Sequence, residues 1–312
     1  MISIYVLRKE EHMVTVQSIL EKAKGQRSGR IALAAAHDKD ALESVCLAKK
    51  EGIAEPILVG QAEKIAALLT ELGYAPEQFS IIDAGTDAEC AEKAVRCVHD
   101  GKAEFLMKGL VSTPDLMRAV LNKEWGLRTG KTISHIMFYD IPGYKLVALT
   151  DGGMSAFPDL NGKVSIVENC VATMRALGWG HVNCACLCGA EQLNPKFQNM
   201  VDADALSKMT DRWTALDISV YGPVGFDLAV SPEACRHKKY TAPGAGEADI
   251  LLVPNYEVGN NLGKSLSLFG GAQNAGVVVG AAASIILVSR ADSARTKLLS
   301  IAFGAVASAY KE

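Results

Sequence analysis

A hydroxyl, a guanidinium and a carboxylate follow one another where an apolar run ends, in Ile286-Leu287-Val288-Ser289-Arg290-Ala291-Asp292-Ser293. Open α/β sheets carry their sites at the carboxyl ends of strands, so Ser289, Arg290 and Asp292 are candidate reactive residues. A planar, permanently charged guanidinium beside a hydroxyl suits an oxyanion such as phosphate, and a helix starting near Asp292 adds its positive amino end. The same residue types also cap helices, so this run alone leaves capping and phosphate chemistry both open.

Three other stretches bear on that choice. Lys108-Gly109-Leu110-Val111-Ser112-Thr113-Pro114-Asp115-Leu116-Met117-Arg118 reads as a strand-to-helix turn in which Ser112 and Thr113 can offer hydroxyls to a phosphate, with Arg118 one helical turn further in. Ser112 or Thr113 as an N-cap with Pro114 in the first turn explains the same residues locally, and the two roles are compatible. The Lys precedes the Gly, so this is no Walker A loop, and no dinucleotide-type GxGxxG follows a strand. Thr150-Asp151-Gly152-Gly153-Met154 places a glycine pair after a strand, which permits close backbone approach to a ligand or makes a simple turn. In Pro254 to Lys264, the polar residues Asn255, Glu257, Asn260 and Lys264 crowd the exit of an apolar strand, the usual composition of a site lining.

Something must position these residues. The chain has 312 residues, which points to one large α/β domain or two domains of roughly 150 each. Hydrophobic residues make up 49% and aromatics only 6%, a balance that favours parallel sheets flanked by helices over β-sandwiches. A net charge of -3 gives no electrostatic footprint for nucleic acid or an anionic membrane. No apolar run reaches about 18 uncharged residues and the start is unlike a signal peptide, so a cytoplasmic protein is expected. Cys184, Cys186 and Cys188 alternate along an apolar run without partner ligands at zinc spacing, and are expected to be buried hydrophobes.

Apolar runs at 30–36, 56–60, 79–84 and 104–107 alternate with amphipathic stretches at 38–51, 62–72, 87–99 and 113–121, the pattern of right-handed βαβ units. A different connection follows: 134–139 and 144–150 are joined by Asp140-Ile141-Pro142-Gly143, a turn that predicts a hairpin at the edge of a mixed sheet. Helices are expected over 161–177, 203–212 and 293–310, and strands over 183–188, 218–221, 249–253 and 277–279. These elements divide the chain into a first α/β domain (1–130 plus 288–312) and a second with a mixed sheet (131–287), which would carry dimer contacts.

Four blocks taken together carry a resemblance: KGLVSTPDLMRAVL, GLRTGKTISH, YGPVGFDLAVSPEA with PNYEVGNNLGKSL, and VSRADSARTKLLSIA. In that order they resemble the phosphate acetyl/butyryltransferase family, with the Arg-Thr-Gly and Ser-Arg-Ala-Asp-Ser blocks closer to the butyryl branch. The resemblance implies two α/β domains with a cleft between them, similar to the isocitrate and isopropylmalate dehydrogenases, and a homodimer or larger homo-oligomer. It implies that Ser289 and Arg290 bind and polarise the acyl phosphate and that Arg118 is a second phosphate contact; Arg128 of the Arg-Thr-Gly block joins Asn255, Glu257, Asn260 and Lys264 as a candidate substrate-binding residue. The acetyl branch uses an Asp several residues past its Ser-Arg pair as base. Here that spacing reaches Lys297, so Asp292, the nearest carboxylate, is the substitute and Glu257 the next candidate.

The implied reaction moves a short acyl group, butyryl or similar, between coenzyme A and inorganic phosphate. Partners are then acyl-CoA, phosphate and acyl phosphate, with coenzyme A a substrate and neither metal nor redox cofactor needed. Acetyl transfer is the alternative within the family, and a non-catalytic acyl-CoA-sensing domain is the alternative outside enzymology. A related-fold dehydrogenase would need metal-binding carboxylates that the sequence does not offer at the right place.

Overall fold

The computed structural model describes residues 14–287 and 292–309. In chain order the elements are α1 (Val16–Gly25), β1 (Gly29–Ala34), α2 (Lys39–Lys50), β2 (Ala54–Gly60), α3 (Ala62–Glu71), β3 (Ser80–Asp83), α4 (Asp87–His99), β4 (Phe105–Lys108), α5 (Thr113–Val120), β5 (Ser134–Asp140) and β6 (Leu146–Thr150). There follow α6 (Leu160–Leu177), β7 (Val182–Leu187), α7 (Gln198–Ser207), α8 (Thr210–Ala215), β8 (Ile218–Val224), α9 (Phe226–Val230), α10 (Pro232–Lys238), β9 (Ile250–Leu252), α11 (Tyr256–Leu268), β10 (Gln273–Val279), β11 (Ile285–Ile286) and α12 (Ala294–Ala309).

The strands form one mixed sheet of eleven in the order β3-β2-β1-β4-β11-β10-β5-β6-β9-β7-β8. Strands β1 to β4 pair in parallel, as do β6, β9, β7 and β8, and the antiparallel pairs β11–β10, β10–β5 and β5–β6 join the two sets. Two-sided burial explains the continuous apolar run Ile31 to Ala34 in β1, a strand between two parallel neighbours.

The hairpin β5–β6 forms as its turn residues require, but it lies in the middle of the sheet and not at an edge, because β10 adds to the outer side of β5 and β9 to that of β6. The expected helix 203–212 is two helices, α7 and α8, and Trp213 Nε1 donates to Leu206 O at 2.6 Å across the turn between them. Helix α1 is an addition to the expected elements, although Val16, Ile19, Leu20 and Ala23 recur at helical spacing and are all buried. Thr15 and Ser18 close its first turn with a reciprocal capping box.

Directly paired residues share a face of the sheet, and His135 pairs with Val278, Met137 with Gly276 and Tyr139 with Asn274. The opposite face carries one continuous apolar cluster, running from Ile31 and Phe105 through Val277, Ile136 and Phe138 to Cys184 and Ile250. Helices α1, α2, α6, α7 and α12 contribute to it, and α12 packs against α1, α2, α6 and β10. The His135 face is divided. One cluster joins β1 and β4 to α4 and α5; another joins β6, β7 and β9 to α9 and α10. Between them His135 and Met137 stay only half-buried.

Phe138 is fully buried on the continuous face, with ring centroids 6.0 Å from Trp179 and 5.0 Å from Phe303. It links the hairpin to α12, and its loss leaves a cavity that both elements line. Phe138→Ala should lower unfolding free energy by about 3–5 kcal/mol, read from urea denaturation. A change well under that range would mean the hairpin and α12 repack freely around the gap.

Candidate active site

The two clusters of the divided face meet in a seam over β5 and β10, with α5 in the cluster on one side and α11 packed on β5 and β6 on the other; this seam is the furrow of the candidate site. Ser112 is the N-cap of α5, accepting the Asp115 N–H at 3.2 Å and donating to Asp115 Oδ2 at 2.6 Å. Arg118 Nη1 reaches Asp115 Oδ1 at 2.6 Å, with its side chain 75% exposed. The Ser112 hydroxyl, and then the Arg118 guanidinium, hold the Asp115 carboxyl below the usual carboxylate range. Ser112 and Thr113 open α5, while Arg118, in its last turn, reaches back to Asp115 and among the described residues keeps further guanidinium donors beyond that bond.

Arg128 lines a cavity of about 330 Å³ with Met117, Lys131, Ile133, Met154 and Gly280. Thr129 Oγ1 donates to Gly280 O at 2.5 Å, fastening the Arg-Thr-Gly turn to the end of β10. The glycine pair after β6 serves close approach: a Cβ on Gly152 would lie 2.8 Å from the Gly259 carbonyl carbon, and one on Gly153 2.3 Å from His135 Nδ1.

The segment 254–264 is not an extended polar exit but the start of α11, because Asn255 caps it by accepting the Val258 N–H at 3.0 Å. Only Gly259 and Gly263 are buried in this helix, and a Cβ on Gly263 would lie 2.1 Å from Tyr139 Oη. Two glycines one turn apart thus seat α11 directly on the hairpin. Glu257, Asn260 and Lys264 then follow at three- and four-residue spacing along a solvent-facing stripe. Asn255 faces elsewhere, into a separate open groove of about 930 Å³ with Phe157, Lys163 and Phe197.

Ser289 and Arg290 lie outside the described residues. Asp292 is half-buried just ahead of α12, and its carbonyl accepts Lys297 Nζ at 2.8 Å. It does not cap that helix: the Ser293 hydroxyl does, accepting the Thr296 N–H at 3.1 Å. Burial, and secondarily the charge of Asp292, push the Tyr139 phenol above its ordinary range. Lys297 is itself buried and turned towards the Asp292 carbonyl and Asp40. Two groups in the furrow had been given no role, His135 and Tyr139. The signal for both was the alternation over 134–139, which puts Ile136 and Phe138 on one side of the strand and His135, Met137 and Tyr139 on the other.

The chain matches the family described as Phosphate acetyl/butaryl transferase over residues 14–96 and 88–305. It belongs to that family. It is 42% identical to the phosphate butyryltransferase of Clostridium acetobutylicum over 94% of this chain and 98% of the relative. Identity to the phosphate acetyltransferase of Thermotoga maritima is 37% over 93% of this chain and 99% of that one. Among solved structures, a branched-chain phosphotransacylase from Enterococcus faecalis superposes with a TM-score of 0.80 at 31% identity, covering 90% of this chain and 99% of the other. This member of the acetyl/butyryl transferase family therefore has the α/β fold that its sequence pattern called for.

Eight cysteines are free thiols, seven buried and Cys188 half-buried. Among the described residues no three His, Cys, Asp or Glu side chains come together as metal ligands. Burial pushes the Cys46 thiol up to about 12 and Cys188 up to about 11, so both stay protonated at neutral pH. In the native protein a thiol reagent should therefore modify at most Cys188 at an appreciable rate, with the other thiols released by denaturant. Rapid native titration of several thiols would contradict their placement in the sheet and helix cores.

Proposed function

We propose that the protein transfers a short acyl group, butyryl or a similar chain, between coenzyme A and inorganic phosphate. The observation that carries this is its close kinship, along nearly the whole chain, with phosphate butyryltransferases; the furrow supplies the means. In the direction of thioester synthesis, Asp292 takes the coenzyme A thiol proton, and the thiolate attacks the acyl phosphate carbonyl. Ser289 stabilises the oxyanion, while Arg290, Arg118, Ser112 and Thr113 hold the phosphate that leaves. Arg128, Asn260 and Lys264 border the path of the coenzyme A chain, Asn255 fixes the start of the helix that presents them, and Glu257 is the alternative proton acceptor.

Coenzyme A enters as substrate, and none of these steps calls on a metal or redox group. The working unit in this proposal is a cytoplasmic homodimer or larger homo-oligomer, with residues 1–130 plus 288–312 and residues 131–287 as its two domains. Acetyl transfer is the second reading, favoured by the kinship with a phosphate acetyltransferase.

Thiol release from acetyl-, propionyl-, butyryl- and isobutyryl-CoA in the presence of phosphate tests the proposal. We expect kcat/KM to peak at a four-carbon chain and to fall about tenfold or more per methylene removed, the usual worth of one methylene in an apolar pocket. Asp292→Asn should cut the rate at neutral pH and recover partly as pH nears the ordinary thiol pKa of about 8.5, where solvent supplies the thiolate. Absent or phosphate-independent release by the wild type would remove the proposal, and a wild-type pH profile in Asp292→Asn would move the base elsewhere.

A further inference from the structure

The floor of the furrow holds an imidazole that the described residues leave without a partner. His135 Nδ1 and Nε2 are both buried, and neither makes a hydrogen bond. Glycine backbone approaches the ring on two sides: a Cβ on Gly153 would lie 2.3 Å from Nδ1, and one on Gly276 would lie 3.1 Å from Nε2. The loop on the Nδ1 side is fixed by Asp151, whose carboxylate accepts the N–H groups of Gly153 and Met154 at 2.8 Å and of Ser155 at 3.2 Å. Asp151 is 2% exposed, so its three backbone hydrogen bonds are shielded from water.

Burial holds the His135 pKa below its ordinary value, against the opposing pull of the Asp151 charge. The ring is therefore neutral at neutral pH and carries one N–H and one lone pair. A buried donor without an acceptor is costly, and such groups in folded proteins generally have a functional partner or a water. His135 lies beside Met137 at the seam of the two apolar clusters: Val278, its partner across the strands, belongs to one, and Met137 packs against the other.

We infer that His135 is a catalytic residue of acyl transfer, its ring N–H donating a hydrogen bond to the carbonyl oxygen of the acyl group. This rests on the acyl-transfer reading above. As the thiolate sulfur bonds to the carbonyl carbon, the C=O π pair moves onto oxygen and the N–H holds the resulting oxyanion without giving up its proton. The pair then returns, the bond from carbon to phosphate oxygen breaks, and phosphate leaves with that bond's electrons. The carbonyl is a better partner than the phosphate because Asp151 sets a buried carboxylate near the ring, which disfavours a dianion there. Met137 adds an apolar neighbour for the acyl chain: a Cβ on Gly276 would lie 2.5 Å from Met137 Sδ and 3.1 Å from His135 Nε2.

The test compares wild type, His135→Gln and His135→Ala by steady-state kinetics and by infrared difference spectra of butyryl-CoA isotope-labelled in its thioester carbonyl. His135→Ala should lose about 10²- to 10³-fold in kcat, the usual loss of one oxyanion donor, with KM for phosphate changed by less than about threefold. His135→Gln keeps an N–H donor and should retain activity within about tenfold of wild type. The carbonyl band should move to lower wavenumber on binding to wild type and His135→Gln, but not to His135→Ala.

Near-wild-type kcat in His135→Ala, equal loss in the Gln and Ala variants, or the same carbonyl band in all three would overturn the assignment. Should the Ala variant fail to fold, the wild type still decides: ring-nitrogen NMR of labelled histidine must respond to butyryl-CoA, and silence there refutes the contact. A wild type that binds butyryl-CoA without phosphate-dependent turnover would sink the acyl-transfer reading instead, while the carbonyl shift would still report on His135.

Discussion

Strict alternation of side chains along β5 and β10 sends Ile136, Phe138 and Val277 to one face of the sheet and His135, Met137, Tyr139, Gly276 and Val278 to the other. The pairing register between these two strands therefore decides which groups face the substrate and which hold the core. A slip by one residue would bury the imidazole among Phe138's present neighbours and expose the apolar set. On the core side the apolar cluster is continuous, and α12 ties the sheet's two parallel sets together by packing on α1, α2, α6 and β10. With the molecule held from that side, the opposite face can remain divided into two clusters that meet over β5 and β10.

The site elements share a second feature: each is set by a short local device. Ser112 caps α5, Asn255 caps α11, Ser293 caps α12, and Asp151 gathers three backbone N–H groups at the end of β6. Glycines at 152, 153, 259 and 263 then let these pieces approach without side chains between them. Caps orient helix ends, and helix ends offer donors to anions. Hydroxyls that looked like mere caps in the sequence are thus also border residues of the furrow, since one side chain can fix a helix and leave neighbouring donors available.

Much of this was legible in the sequence. The βαβ alternation of residues 30–121 was plain because buried parallel strands and amphipathic helices have different periods, and the hairpin turn announced itself through Pro142-Gly143. The hairpin's central position was not legible, because pairing between β5 and β10 joins segments far apart in the chain and leaves no local signal. Helix α11 was hidden for a different reason: its fully buried positions are Gly259 and Gly263, with Leu262 and Leu266 only partly covered, so its apolar stripe is narrow. His135 was passed over because one histidine in a strand carries no motif. Its interest comes from unpartnered nitrogens, which only the three-dimensional surroundings reveal.

Hydrogen–deuterium exchange with and without butyryl-CoA tests most directly whether chemistry takes place on the divided face. Binding in the furrow predicts slowed exchange in peptides covering 109–118, 128–137, 150–155 and 256–264, with the α6 and α7 segments around the separate groove unchanged. Protection confined to 157–163 and 196–205, with the hairpin and α5 unaffected, would contradict the account and move the acyl-CoA site to that groove.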